Sequence, residues 1–233
     1  MKHRILLTIN MESKVMSISP CVKIDVALVK KSVMKWSRFK KLNHFYSLCD
    51  LNSNVLDVGV SNNEHNDQVN LFLNKFRLDP NQYTGLAIQP MNEIAKKHPG
   101  KKFVQYPGGV FPFGNKKFDW VFSNAVIEHV GSEEDQIIFI NEMLRVGKNV
   151  FFTTPNKYFP IESHTNTFFR HWLNKRFYEW CKQNHLYWNE NNLILLGFND
   201  VKRLMAKSNA NSYFIQKNRI LGWPMTFTVV YTN

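Results

Sequence analysis

The chain has 233 residues, 44% apolar and 14% aromatic, and its 30 Lys and Arg against 18 Asp and Glu give a formal net charge of +12. That length carries one complete α/β core and is too short for two comfortable domains. The apolar runs are strand-sized rather than membrane-sized, and Cys21, Cys49 and Cys181 show no CxxC or Cys/His spacing, so neither a disulfide framework nor a zinc site is suggested and no metal is expected.

The start, Met1-Lys2-His3-Arg4 followed by Ile5-Leu6-Leu7-Thr8-Ile9, has too short an apolar core for a signal peptide. The expectation is a soluble, unexported protein of the reducing cytoplasm. Nothing before about Lys23 is periodic, so residues 1–31 read as an N-terminal extension, disordered or locally paired, with Met11 or Met16 as alternative starts. Residues 32–233 read as a single domain.

From Ser32 to Cys49 the spacing of Val33, Trp36, Phe39, Leu42, Tyr46 and Cys49 predicts a basic amphipathic helix. Covering the domain is its favoured role, and a membrane-surface or calmodulin-like helix is the alternative. Val55–Val58 is a buried strand, and Val69, Phe72, Leu73 and Phe76 predict a helix over about Asp67–Phe76. A strand over about Gln82–Ile88, a short helix over Asn92–Lys97 and a strand over Lys102–Gln105 follow. This alternation argues for a parallel sheet with helices on both faces.

The centre is the best-marked unit. Phe118-Asp119-Trp120-Val121-Phe122 runs into Ser123-Asn124-Ala125-Val126-Ile127-Glu128-His129-Val130, and after one helix comes Asn149-Val150-Phe151-Phe152-Thr153-Thr154-Pro155-Asn156. In that helix Ser132 is the N-cap, Glu133, Glu134 and Asp135 fill the first turn, Ile137, Ile140 and Leu144 share a face, and Arg145, Gly147 and Lys148 close it. This is a βαβ unit, and open α/β sheets bind ligands at the carboxyl ends of such strands.

Residues 156–190 are dense in aromatic and basic side chains, among them Phe159, Phe168, Trp172, Trp180 and Trp188 with His164, Arg170 and His171. They read as an insertion or lid. For Trp172, Tyr178 and Trp180 individually, packing a helix is preferred over substrate contact. The tail predicts a helix capped by Asn199 or Asp200, then strands over Ser212–Gln216 and Met225–Tyr231 joined by Leu221-Gly222-Trp223-Pro224.

The order of Val55-Leu56-Asp57-Val58-Gly59, Tyr83-Thr84-Gly85-Leu86, Phe111-Pro112-Phe113 and Phe118-Asp119 to Glu128-His129-Val130 resembles the class I S-adenosylmethionine-dependent methyltransferases, most closely those of type 11. The resemblance spans about Val55 to Thr165, and Thr153 to Thr165 looks like a subgroup signature. It implies a Rossmann-like, doubly wound α/β fold, with a mostly parallel seven-stranded sheet, an antiparallel last strand and the aromatic insertion after the fifth strand. It also implies S-adenosyl-L-methionine as cofactor.

The cofactor residues it implies are Asp57, Gly59, Ser61 and Asn63 in the first turn, then Ala87, Ile88 and Gln89 after the second strand. Tyr106 follows the third strand, and Asn124, Ala125, Val126 and His129 form a wall after the fourth. Close backbone approach explains the glycine. Val60-Ser61-Asn62-Asn63 stands where the family has two more glycines, Ala87 where it carries an acid, and Tyr106-Pro107 where Asp is frequent. Gln89 or Asn92 is the substitute for the ribose acceptor, and Tyr106 a stacking partner for adenine.

On the acceptor side His164, with Glu162, is the preferred base for a hydroxyl, and the competing reading has the two pairing with Arg170 or nearby backbone to shape the insertion. His129 reads as structural or cofactor-shaping, with a place at the transfer centre as the alternative. Glu128 reads as a hydrogen-bonding group of the turn. Three functions are ranked: a methyltransferase acting on a small-molecule or glycan-linked acceptor at a hydroxyl; a catalytically degenerate binding or scaffolding protein of the same fold; and a nucleic-acid methyltransferase or binder, disfavoured because Thr154-Pro155-Asn156-Lys157 does not match base-methyltransferase motifs. The positive charge suits an anionic acceptor and peripheral membrane association, and leaves the oligomeric state open.

Overall fold

The computed structural model describes residues 8–9, 15–18, 22–62 and 69–233. They fall into two compact units, Met1–Leu48 and Cys49–Asn233. In the first, strands β1 (Thr8–Ile9), β2 (Val15–Ile18) and β3 (Val22–Asp25) pair antiparallel in the order β1-β2-β3, and helix α1 spans Val26–Tyr46. The helix therefore begins earlier than Ser32, directly after β3. Trp36, expected on an apolar stripe, is half exposed with the Lys40 ammonium 5.1 Å from its ring centroid.

The second unit contains β4 (Val55–Val58), α2 (Leu71–Asn74), β5 (Tyr83–Ala87), α3 (Asn92–Lys97), β6 (Lys102–Gln105) and β7 (Phe118–Asn124). It continues through α4 (Glu133–Val146), β8 (Gly147–Pro155), α5 (Asn174–Asn184), α6 (Phe198–Lys207), β9 (Phe214–Ile220) and β10 (Trp223–Tyr231). The seven strands form one sheet ordered β6-β5-β4-β7-β8-β10-β9. The strands from β6 to β8 are mutually parallel, whereas β10 runs antiparallel to both β8 and β9. After β6 the chain crosses back to the far side of β4, so the carboxyl edge of β4 is a topological switch point.

Strand alternation divides the core. One face sends Leu56, Val58, Val121, Val150, Phe152, Phe227 and Val229 against Ile140, Met143 and Leu144 of α4 and Val201, Leu204 and Met205 of α6. From the other face Phe122 stacks on Phe72 of α2 at 4.0 Å and on Phe151 at 5.7 Å between centroids. Full burial of each such side chain contributes roughly 1.5–3 kcal/mol, so the sheet is secured from both sides.

Local chemistry explains where elements stop. Ser132 caps α4 by accepting from the Asp135 amide while the Asp135 carboxylate accepts from the Ser132 amide. Lys116 donates to the Leu144 and Gly147 carbonyls at the other end of α4. Glu142 and Arg145 of α4 pin the preceding loop: Glu142 accepts from the Phe111 amide at 2.6 Å and Arg145 donates to the Phe111 and Phe113 carbonyls.

Some boundaries differ from the sequence reading. α2 is a single turn, Leu71–Asn74, rather than a helix to Phe76: the Lys75 amide still donates to the Leu71 carbonyl, but Lys75 itself leaves helical geometry with φ of −117° and ψ of 25°; residues 67 and 68 lie outside the described residues. α6 starts at Phe198, and Asp200 sits within its first turn, accepting from the Gly197 amide at 2.8 Å. β9 is displaced to Phe214–Ile220, since Leu221 and Gly222 alone form the turn, with φ of 48° and 81°. Two left-handed residues match the twist of a tight hairpin.

Candidate active site

The site lies at the carboxyl ends of β4, β5, β7 and β8. At the end of β4 Gly59 has φ of +91°, and a Cβ there would lie 2.3 Å from Cγ2 of Val126. Glycine is thus required by the backbone angle and by the wall residue Val126 packed against it. The Gly59 amide donates to the Leu86 carbonyl at 2.9 Å. Ser61 is held by Asn70, whose Oδ1 accepts from the Ser61 amide and whose Nδ2 donates to the Ser61 carbonyl. This clamp fixes the turn by side-chain bonds where the family pattern has further glycines. Asn63 lies outside the described residues.

Asp57 is buried in β4, and its Oδ2 accepts from the Tyr83 hydroxyl at 2.6 Å. Burial pushes its carboxyl up to about 7, against the opposing pull of the Tyr83 bond and the Lys101 ammonium. Lys101 in turn donates to the Leu73 carbonyl and sits 5.1 Å from the Tyr83 ring centroid. Asp57 is therefore tied into the sheet beneath the turn.

At the end of β5 Ala87 is buried and brings no polar side chain, whereas Ile88 is exposed. The Gln89 Oε1 accepts from the Asn62 amide at 3.4 Å, which sets its carboxamide beside the first turn. Of the two expected substitutes for a ribose acceptor, Gln89 is the one bonded to that turn. Tyr106 is half-buried against the core, edge-on to Phe111 at 5.4 Å, and its amide donates to the Ala87 carbonyl.

The wall after β7 is tied down by hydrogen bonds. Ser123 donates to the Val58 carbonyl, Asn124 Oδ1 accepts from the Thr153 hydroxyl at 2.8 Å, and Ala125 takes a left-handed φ of 57° with its amide bonded to the Thr153 carbonyl. A left-handed alanine is uncommon and holds only where its surroundings over-determine it. A short 3-10 turn, Ile127–His129, follows.

Here the insertion returns. The Ile194 amide donates to the Glu128 carbonyl, and His129 Nδ1 bonds the Asn192 carbonyl at 2.9 Å. His129 stacks on Trp188 at 5.4 Å between centroids and meets His164 edge-on at 4.9 Å. Glu162 is buried, and its carboxylate accepts from the His164 amide, His164 Nδ1 at 2.7 Å, and both the amide and hydroxyl of Thr165. Burial alone would raise that carboxyl, but His164 and Thr165 hold it down at about 2. The backbone alternative for Glu162 is thus met, while its Arg170 partner is corrected: the Arg170 guanidinium lies over the Trp180 ring.

Glu128 is fully buried; its Oε2 accepts from the Thr154 hydroxyl at 3.1 Å, and its Oε1 has no hydrogen-bond partner. An unsatisfied buried acceptor costs about 1–3 kcal/mol, more when charged. One ligand-type atom from each of Glu128, His129 and His164 lies within 4.8 Å of the others. His171 is separate, bonded through Nε2 to the Phe159 carbonyl. Phe177, Cys181, Leu193 and Leu195 form a small core against which Tyr178 and Trp180 pack, in line with the preferred packing role of those two aromatics. Asn70 and Asn192 went unread in the sequence, since each acts through a backbone partner distant along the chain.

The strand order and the site at its carboxyl edge define a Rossmann-like class I methyltransferase fold. Residues 48–150 match the family described as a methyltransferase domain, whose cofactor is S-adenosylmethionine. Uncharacterized proteins from two strains of Mycobacterium tuberculosis are 39% identical over 56 residues, 23% of this chain and 19% of theirs, so the match spans about a fifth of the length of these curated relatives. The fold is similar to that of a Thermotoga maritima S-adenosylmethionine-dependent methyltransferase described as a possible histamine N-methyltransferase, with 14% identity, coverage of 86% of this chain and 92% of that one, and a TM-score of 0.54. It is also similar to a Haemonchus contortus phosphoethanolamine N-methyltransferase in complex with S-adenosyl-L-methionine, with 15% identity, coverage of 76% and 38%, and a TM-score of 0.50.

The residues present fit this cofactor at the first turn, where a positive-φ glycine opens the backbone at the switch point. They depart from the family pattern at Ala87, where no carboxylate stands.

Proposed function

We propose that this chain is an active S-adenosylmethionine-dependent methyltransferase that methylates a hydroxyl of a small-molecule or glycan-linked acceptor in the cytoplasm. The observation that carries the reading is the continuity of two sites: Gly59, Ser61, Gln89 and Ala125 surround the cofactor edge, and Glu128, His129 and His164 adjoin the same wall. When bound, the cofactor supplies an electrophilic methyl group. Gly59 and Ser61 would hold its amino-acid end, Gln89 its ribose, and Tyr106 its adenine side. The imidazole and carboxylate group would meet an acceptor hydroxyl and promote loss of its proton. Positioning and deprotonation are the chief demands of such a transfer.

The net charge of +12 supports an anionic acceptor, such as an acidic glycan conjugate, approached at a membrane surface. The degenerate alternative draws on Ala87. Calorimetry of the full chain with S-adenosylhomocysteine decides between them: saturable one-to-one binding supports the enzyme, and none supports the scaffold. Transfer of labelled methyl groups to a panel of hydroxyl and amine acceptors then tests the acceptor atom. Affinity for RNA or DNA that falls steeply with salt would instead favour the nucleic-acid reading.

A further inference from the structure

We propose that Glu128, His129 and His164 form a binding site for one divalent first-row transition-metal ion, which holds and acidifies the acceptor hydroxyl. The inference rests on the methyltransferase reading for its role in catalysis, but not for the site itself.

The argument begins with the tautomers. His129 Nδ1 faces the Asn192 carbonyl at 2.9 Å, and a carbonyl only accepts, so the proton sits on Nδ1. His164 Nδ1 faces the Glu162 carboxylate at 2.7 Å and carries its proton for the same reason. Once such a ring is neutral, Nε2 is the nitrogen with a lone pair. Oriented imidazoles whose Nδ1–H groups are bonded to a carbonyl and a carboxylate are the usual support of histidine metal ligands. Both rings are further fixed by Trp188, stacked on His129 and edge-on to His164 at 5.0 Å.

The third donor is the carboxylate of Glu128. It is fully buried, and its Oε1 lacks a hydrogen-bond partner although Thr154 satisfies Oε2. A bound cation removes that deficit. One ligand atom of each residue lies within 4.8 Å of the other two. Two imidazoles and one carboxylate leave coordination positions for water or substrate and favour Mn²⁺, Fe²⁺, Co²⁺ or Zn²⁺ over the oxygen-seeking Mg²⁺ and Ca²⁺. Both histidines are only partly buried.

An acceptor hydroxyl bound to the ion loses its proton to solvent water at a lower pH than a free alcohol. Its oxygen electron pair forms the O–C bond to the methyl carbon while the C–S pair returns to sulfur, which yields the methyl ether and S-adenosylhomocysteine. No further reactant is needed.

The test uses the untagged full chain, stripped of metal by a chelator and dialysed. Titration with Co²⁺, read by visible absorption and by calorimetry, is expected to show one site. Glu128→Gln and His164→Gln are each expected to weaken it by at least about tenfold, and Glu162→Gln by a comparable factor through His164, with His185→Gln unchanged as a control. Circular dichroism checks folding, and should Glu128→Gln unfold, His164→Gln carries the test. Absence of one-site Co²⁺ binding, or binding indifferent to both ligand variants, overturns the inference. The same metal-free sample is titrated with S-adenosylhomocysteine. Cofactor binding without a Co²⁺ site leaves the methyltransferase reading with His164 as a metal-free base and rejects the ion. A Co²⁺ site without cofactor binding keeps the ion and rejects the methyltransferase.

Discussion

The two halves of the site are built by opposite means. The cofactor edge, from Gly59 to Gln89, relies on backbone shape and packing: a positive-φ glycine under Val126, a turn clamped by Asn70, and a buried alanine where the family carries an acid. The acceptor edge, from Glu128 to Asn192, is wired through side chains, with Glu162 alone accepting four hydrogen bonds. Shape is preserved by many sequences, whereas a converging set of charged and imidazole groups has few substitutes.

The sharpest way to break the comparison is at Gly59. Gly59→Val places a branched side chain at φ of +91° and against Val126, whose Cγ2 would be 2.3 Å from the new Cβ. Left-handed strain and overpacking together suggest a loss on the order of 2–5 kcal/mol. Urea denaturation is expected to show it, with no detectable S-adenosylhomocysteine binding. A variant of native stability that binds normally would mean the turn is not shaped as described.

Glu162→Ala strips the acceptor edge. It leaves the amide and hydroxyl of Thr165 and the His164 ring without their acceptor, for an expected destabilisation of about 2–4 kcal/mol. Cofactor affinity should change little in the protein that remains folded. A large fall in that affinity would show that the two edges are one cooperative unit.

Asp57 offers a pH signature on the cofactor side. Its carboxyl lies at about 7 in the folded protein against the ordinary value of 3.8. The folded state holds this proton more tightly, so its contribution to stability is full below about pH 4 and is lost as pH rises toward 7. Asp57→Asn keeps an acceptor for Tyr83 and removes that slope, so wild type minus variant, measured by denaturation across pH 4 to 8, should drift by a few kcal/mol at most and then level. A flat difference would place the carboxyl in its ordinary range.

The smallest effect is expected at Gln89. Gln89→Ala removes one neutral hydrogen-bonding group beside the first turn and should weaken S-adenosylhomocysteine by roughly threefold to tenfold, read by calorimetry. No change would pass the ribose contact to another residue.

How much of this was legible follows the range of the interactions. Strands at Val55–Val58 and Lys102–Gln105, and helices at Asn92–Lys97 and Glu133–Val146, were readable because caps, turn residues and apolar periodicity act within a few positions. At the expected Asp67–Phe76 helix the described chain holds only the turn Leu71–Asn74, because apolar spacing marks a buried face without fixing where helical geometry ends. Likewise Gly59 was recognised as indispensable, yet its reason in the fold is Val126, far along the chain.

The amino-acid sequence by itself determined the alternation of strands and helices, the family resemblance, the basic charge and the location of the aromatic insertion, since each is written in local pattern or composition. Only the tertiary structure decided that Glu128 and His129, at the end of one strand, meet His164 from beyond the next, with both imidazole tautomers set by Asn192 and Glu162. Hydrogen bonds and ligand geometries act over a few ångströms in space whatever the separation in sequence, and the fold alone creates that proximity.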